Sequence, residues 1–209
     1  MQMIFIDIDN TLLDFDAYIR RTMEEGFAYF GLRPYEPWMY DVFHRENNKL
    51  WRQIEEGTLT FPELEKIRWN NVFAALDMDF DGVVFEKYFR TALHESAIPV
   101  NGARELLEAL RGRYLLAAAS NGPYEQQLHR LALAGMKDFF DWFFISERIG
   151  ASKPSKLFFD EAFRQVNEGR ETPILPEDTA IIGDSLTSDM AGGRGCGLKT
   201  VYYRRPGAA

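Results

Sequence analysis

Met3-Ile4-Phe5-Ile6-Asp7-Ile8-Asp9-Asn10-Thr11 opens the chain with an apolar run that releases two carboxylates and a threonine. The run predicts a strand over Met3–Ile8 with a loop behind it. Strand side chains alternate faces, so Asp7 and Asp9 are expected on one side while Ile6 and Ile8 enter the packing. Two buried acids on one side repel each other unless a cation or a proton intervenes. Such a strand end suits a divalent cation and a phosphate. Standing alone, it would read as an ordinary strand-to-loop junction with solvated acids.

It does not stand alone. Continuous apolar runs return at Tyr114–Ala119, Trp142–Ile145, Thr179–Ile182 and Lys199–Tyr203, as expected for parallel strands covered on both faces. Helices are predicted between them at Ala103–Leu110, Tyr124–Ala134, Lys156–Asn167 and Ser188–Gly195. The alternation predicts an α/β fold, a doubly wound (Rossmann-like) parallel sheet with right-handed crossovers.

Residues 14–96 break that rhythm and read as four helices without a strand. Ile19, Met23, Phe27 and Phe30 form one apolar stripe at helical spacing. Thr60-Phe61-Pro62-Glu63 is a capping box with proline in the first turn. The expected organisation is a core of residues 1–13 and 97–209 carrying an inserted α-helical cap at 14–96. Inserted at that point, the cap is a natural lid over the carboxyl ends of the strands, where open α/β sheets bind ligands.

Composition narrows the function. With 46% apolar and 14% aromatic residues, the chain can bury a full core. Its net charge of −8 disfavours nucleic acid and anionic membranes as partners. A small phosphorylated substrate stays open, because local cations override the global field at short range. The single cysteine, Cys196, excludes an intrachain disulfide and fits a reducing compartment; among glycines it is expected to be a small buried filler. No segment is long and apolar enough to span a bilayer, and Met1–Ile8 lacks the basic flank of a secretion signal. A cytoplasmic location is expected.

Four further features lie at or near predicted strand ends. Ser120-Asn121-Gly122 follows the second strand and Ser152-Lys153-Pro154 the third. Gly183-Asp184-Ser185 ends the fourth, and Asp189 lies five residues beyond Asp184. They supply a hydroxyl and amides for phosphate oxygens, a fixed cation, and more carboxylate for a metal.

Asp7-x-Asp9-x-Thr11, Ser120-Asn121-Gly122, Lys153-Pro154 and Gly183-Asp184-x-x-x-x-Asp189 resemble the four motifs of the haloacid-dehalogenase-like (HAD) phosphatases, in the family's order and across essentially the whole chain. The insert resembles that family's helical cap. Asn48-Lys49-Leu50-Trp51 with Glu56-Gly57, Thr60 and Arg68 is similar to the cap of the YjjG-type pyrimidine nucleotidases, as is Gly183–Asp189 with Gly192-Gly193. Those relatives usually continue with another strand and helix, a departure that bears on stability and assembly more than on chemistry.

The resemblance implies a Mg²⁺-dependent phosphomonoester hydrolase working through an aspartyl-phosphate. Asp7 would be the nucleophile. Asp9 would protonate the leaving oxygen and then take a proton from water, a role that neighbouring negative charge would favour in its first step. Asp7, the Asp9 backbone carbonyl and Asp184 would be Mg²⁺ ligands, with Asp189 holding metal-bound water. Lys153 would neutralise the phosphate and Asp7, while Thr11, Ser120, Asn121 and Gly122 would bind phosphate.

By the same resemblance the expected substrates are nucleoside 5′-monophosphates, pyrimidine ones first. One rival is a sugar phosphate or phosphoglycolate; a rival of another class is a non-catalytic phosphate-binding module. A dehalogenase is disfavoured, since carbon–halogen displacement needs neither the acid at Asp9 nor magnesium. In the cap, Trp51, Trp69, Phe73 and Tyr88 read as core at helical spacing or as faces for a nucleobase. Asp77–Gly82 imitates the start of a calcium loop, but Tyr88 occupies the twelfth position, so an acidic turn is expected.

Overall fold

A computed structural model of the chain describes residues 1–205. It divides into two compact units, one of Met1–Asp14 with the chain from Ala97 onward, the other of Phe15–Ser96.

The second unit holds four helices: α1 (Phe15–Tyr29), α2 (Pro37–Glu55), α3 (Phe61–Ala75) and α4 (Gly82–His94). Its centre is aromatic. Trp69 is fully buried, with ring centroids of Phe85, Phe43 and Phe89 at 4.3, 5.1 and 5.3 Å. Each such ring contributes roughly 1.5–3 kcal/mol when fully buried. Trp69 and Phe73 are therefore core. Trp51 packs half-buried against Phe61, and Tyr88 stacks on Tyr29. At the start of α3 the Thr60 amide donates to Glu63 Oε2 at 2.9 Å, one arm of the expected capping box. The acidic turn ends with Asp81 capping α4 by accepting from the Val83 amide at 2.8 Å.

The first unit is built on five parallel strands: β1 (Met3–Ile6), β2 (Leu115–Ser120), β3 (Trp142–Ile145), β4 (Thr179–Gly183) and β5 (Lys199–Tyr202). Their order, β3-β2-β1-β4-β5, makes the sheet doubly wound about a central β1, whose Met3 pairs with Leu115 on one side and Thr179 on the other. Helices α5 (Ala103–Leu110), α6 (Tyr124–Leu133), α7 (Ser146–Ile149), α8 (Lys156–Asn167) and α9 (Ala191–Gly195) lie in the connections. Ile4 and Ile6 enter one core with Leu107, Leu116 and Leu131; Met3 and Phe5 enter the other with Phe144, Phe158 and Phe159. That two-residue alternation, apolar on both faces, is why the strands read as unbroken apolar runs.

Two expectations need correction. β1 ends at Ile6, not Ile8. The Asp7 amide still donates to the Ile182 carbonyl at 2.9 Å, but the chain then turns through Asn10 at φ 62°. The Ile8 carbonyl collects the amides of Leu12 and Leu13 at 2.8 and 2.9 Å. Asparagine tolerates the left-handed region, so the turn forms here and strand alternation does not reach Asp9. The helix expected over Ser188–Gly195 is instead a π turn, Leu186–Met190, followed by α9. The Met190 amide bonds the Ser185 carbonyl at 3.0 Å, five residues back, while the Ser185 amide donates to Asp189 Oδ2 at 3.1 Å. The wider turn keeps the Asp189 carboxylate inward. Cys196 is half-buried, and burial raises its pKa from the ordinary thiol value.

Candidate active site

Lys153 is the hub of the carboxyl-end loops. Its ammonium is buried and donates to Asp7 Oδ1 at 2.8 Å, to Asp189 Oδ1 at 2.6 Å and to the Ala119 carbonyl at 2.6 Å. The loops after β1 and β4 supply the acids, β2 supplies the carbonyl, and the segment beyond α7 supplies the lysine. Burial works against the charged ammonium. The attraction of Asp189 and Asp7 outweighs it and holds the Lys153 pKa above the ordinary lysine value.

Asp7 answers to the opposite balance. Burial pushes its carboxyl well above the ordinary range; Lys153 opposes the shift, and the charges of Asp189 and Asp184 add to it. Lys153 brings one positive charge between Asp7 and Asp189. Carboxylate oxygens of Asp7, Asp184 and Asp189 lie within 4.8 Å of one another, an all-oxygen set that fits a hard divalent cation such as Mg²⁺. Asp184 also meets Arg205, with Nε 3.3 Å from Oδ2.

The other expected site residues have partners of their own. Asp9 does not share the Asp7 cluster of partners. Its Oδ1 accepts from Arg130 Nη1 at 2.6 Å and its Oδ2 from Gln127 Nε2 at 2.8 Å. The charge beside it is thus positive, where negative charge was expected. Thr11 Oγ1 donates to Asp7 Oδ2 at 3.2 Å. Ser120 is buried at the end of β2 and accepts from Gln127 Nε2 at 2.8 Å. The Asn121 side chain is taken up by the Lys153 backbone, accepting from its amide at 2.8 Å and donating to its carbonyl at 2.9 Å. The Gly122 amide donates to Ser146 Oγ at 2.9 Å. Asn121 and Gly122 therefore tie neighbouring loops together.

Gln127 and Arg130 were missed by motif reading. A signal for them exists in the sequence. With Leu131 they occupy positions i, i+3 and i+4 of α6, all buried, and polar residues on a buried stripe need partners.

Residues 1–197 match the haloacid dehalogenase-like hydrolase family. The chain is 32% identical to the pyrimidine 5′-nucleotidase PynA of Streptococcus pneumoniae over 96% of its own length and 82% of that protein's. It is 30% identical to the pyrimidine 5′-nucleotidase YjjG of Escherichia coli over 95% and 84%. The fold matches a crystal structure of the HAD-hydrolase YfnB from Bacillus subtilis, described as bound to magnesium, with a TM-score of 0.87 and 32% identity over 96% of this chain and 87% of that one. Family match, fold and the convergence of Asp7, Lys153, Asp184 and Asp189 agree, and the chain belongs to the haloacid dehalogenase-like hydrolases.

Proposed function

We propose that this chain hydrolyses phosphomonoesters with Mg²⁺ through a phosphate ester on Asp7, and that nucleoside 5′-monophosphates, pyrimidine ones first, are its substrates. The observation that carries the reading is the meeting of Asp7, Asp184 and Asp189 around the buried Lys153. Asp7, Asp184 and the Asp9 backbone carbonyl would hold the ion, with Asp189 acting through water. Bound there, Mg²⁺ supplies charge that lets an anionic nucleophile meet an anionic phosphate.

The Asp7 carboxylate forms a bond to phosphorus as the bond to the ester oxygen breaks. Asp9 gives the departing oxygen a proton, then removes one from the water that attacks phosphorus and frees Asp7. Lys153 offsets charge, and the Ser120 hydroxyl and Thr11 serve the phosphate oxygens. The relatives named as pyrimidine 5′-nucleotidases support the choice of ester.

A panel of phosphate esters tests the proposal. Turnover should require Mg²⁺, vanish in Asp7→Asn and favour pyrimidine nucleoside monophosphates. Hexose phosphate cleaved far faster than any nucleotide would overturn the substrate. An Asp7→Asn protein with unchanged turnover would overturn the mechanism.

A further inference from the structure

We propose that Gln127 and Arg130 are positioning residues: together they fix the plane of the Asp9 carboxylate and aim the Ser120 hydroxyl at the substrate's phosphate. The inference rests on the phosphomonoesterase reading.

A guanidinium only donates, so a glutamine amide that meets one presents its oxygen there and turns its nitrogen the other way. Gln127 Oε1 accepts from Arg130 Nη1 at 2.9 Å. Its Nε2 then faces away from the guanidinium, and its two hydrogens go to Asp9 Oδ2 and Ser120 Oγ, each at 2.8 Å. Because Ser120 Oγ is already an acceptor, its own O–H is left to act as a donor. A phosphate oxygen only accepts, so a serine in this state is set for it.

The same pair fixes Asp9. A carboxylate on two rotatable bonds is a poor proton carrier unless its plane is held, and Asp9 is held at both oxygens, by Arg130 at Oδ1 and Gln127 at Oδ2. Gln127 and Arg130 are themselves 1% exposed, whereas the Asp9 side chain keeps 30% of its surface. The cradle is thus rigid and enclosed while the group it holds stays accessible. One turn of α6 carries both residues, so a proton-transfer group and a phosphate donor from different strand ends are set by one element.

Gln127→Leu tests this, because it deletes the amide and keeps the local charge. Two esters are compared, a nucleoside or alkyl phosphate and p-nitrophenyl phosphate, whose phenolate leaves without a proton. The variant should lose roughly a hundredfold in kcat/KM on the alkyl ester and only about the tenfold that weaker phosphate binding accounts for on the aryl one. Inorganic phosphate should bind it roughly tenfold more weakly by calorimetry. Arg130→Lys should retain more activity than Arg130→Met; if the methionine variant does not fold, Gln127→Leu decides alone. Equal losses on both esters with phosphate affinity unchanged, or no loss at all, would overturn the inference. Wild-type protein that binds phosphate but cleaves neither ester would sink the phosphatase reading instead, and the two phosphate affinities would still decide the inference. Wild-type protein that neither binds phosphate nor cleaves would overturn both.

Discussion

Asn121 grips Lys153 by its backbone: Oδ1 accepts from the lysine amide at 2.8 Å and Nδ2 donates to its carbonyl at 2.9 Å, across 32 residues of chain. The lysine's place among the acids is therefore set from the neighbouring loop. Two hydrogen bonds of this kind contribute about 1 kcal/mol each, so Asn121→Ala should lower stability by about 2 kcal/mol. Turnover should fall with it. Chemical denaturation checks the first effect, and a variant as stable as the parent would contradict it.

Removing the lysine's charge should do more. Lys153→Met leaves Asp7 and Asp189 buried beside each other without their shared ammonium, a loss of about 3–5 kcal/mol for one partner of a buried pair. Mg²⁺ should then raise the melting temperature of the variant more than that of the parent, since the ion replaces missing positive charge. An equal rise in both proteins would show that the acids do not act as one cluster.

Gly183 is the residue that lets Asp189 come close. A Cβ at this position would run into the Asp189 carboxylate. Gly183→Ala should displace Asp189 from Lys153 and destabilise the fold by roughly 1–3 kcal/mol, the usual result of overpacking. Thermal melts and Mg²⁺ titration read the two effects; a variant normal in both would mean the loop yields freely.

In the helical unit, Arg68 and Glu86 form a buried pair, and Asn47 Oδ1 stands 3.5 Å from Arg68 Nη1. Arg68→Met should cost about 3–5 kcal/mol, whereas Arg68→Met with Glu86→Leu should cost far less, because no charge is left unpaired. Tryptophan emission suits the measurement, since Trp38, Trp51 and Trp69 all belong to this unit. A double variant weaker than the single one is the contrary outcome.

Arg205 meets Asp184 at the edge of the proposed ion site. A partly exposed pair of this kind is worth about 0.2–1 kcal/mol. Arg205→Ala should therefore tighten Mg²⁺ binding by up to about fivefold by calorimetry. Weaker binding would mean the arginine supports the site.

Much of this architecture is legible before any coordinates. Trp142–Ile145, Ala103–Leu110 and Lys156–Asn167 occur with the boundaries that apolar runs and helical spacing predict, because burial on both faces, or on one stripe, dictates residue type directly. The departures have a different cause. β1 stops early because Asn10 adopts a left-handed turn, and the π turn before α9 exists because Asp189 is drawn inward. The first is a local turn that an apolar run does not mark, and the second follows from the contact of Asp189 with Lys153, 36 residues away. Motif reading named Asp9, Asn121 and Lys153, but neither that Asn121 would hold the Lys153 backbone nor that Arg130 would meet Asp9. Lys153 lies 32 positions beyond Asn121, and Arg130 lies 121 beyond Asp9. No local pattern encodes such distances.

The ammonium of Lys153 has three hydrogens, and Asp7, Asp189 and the Ala119 carbonyl engage it at three points. Direct recognition of an incoming phosphoryl oxygen by this lysine is therefore a substitution: one of those acceptors must let go. Ligand entry and a local rearrangement of the nucleophile's surroundings become a single event, so a ligand too small or too weakly charged to displace an acceptor would leave the resting geometry intact.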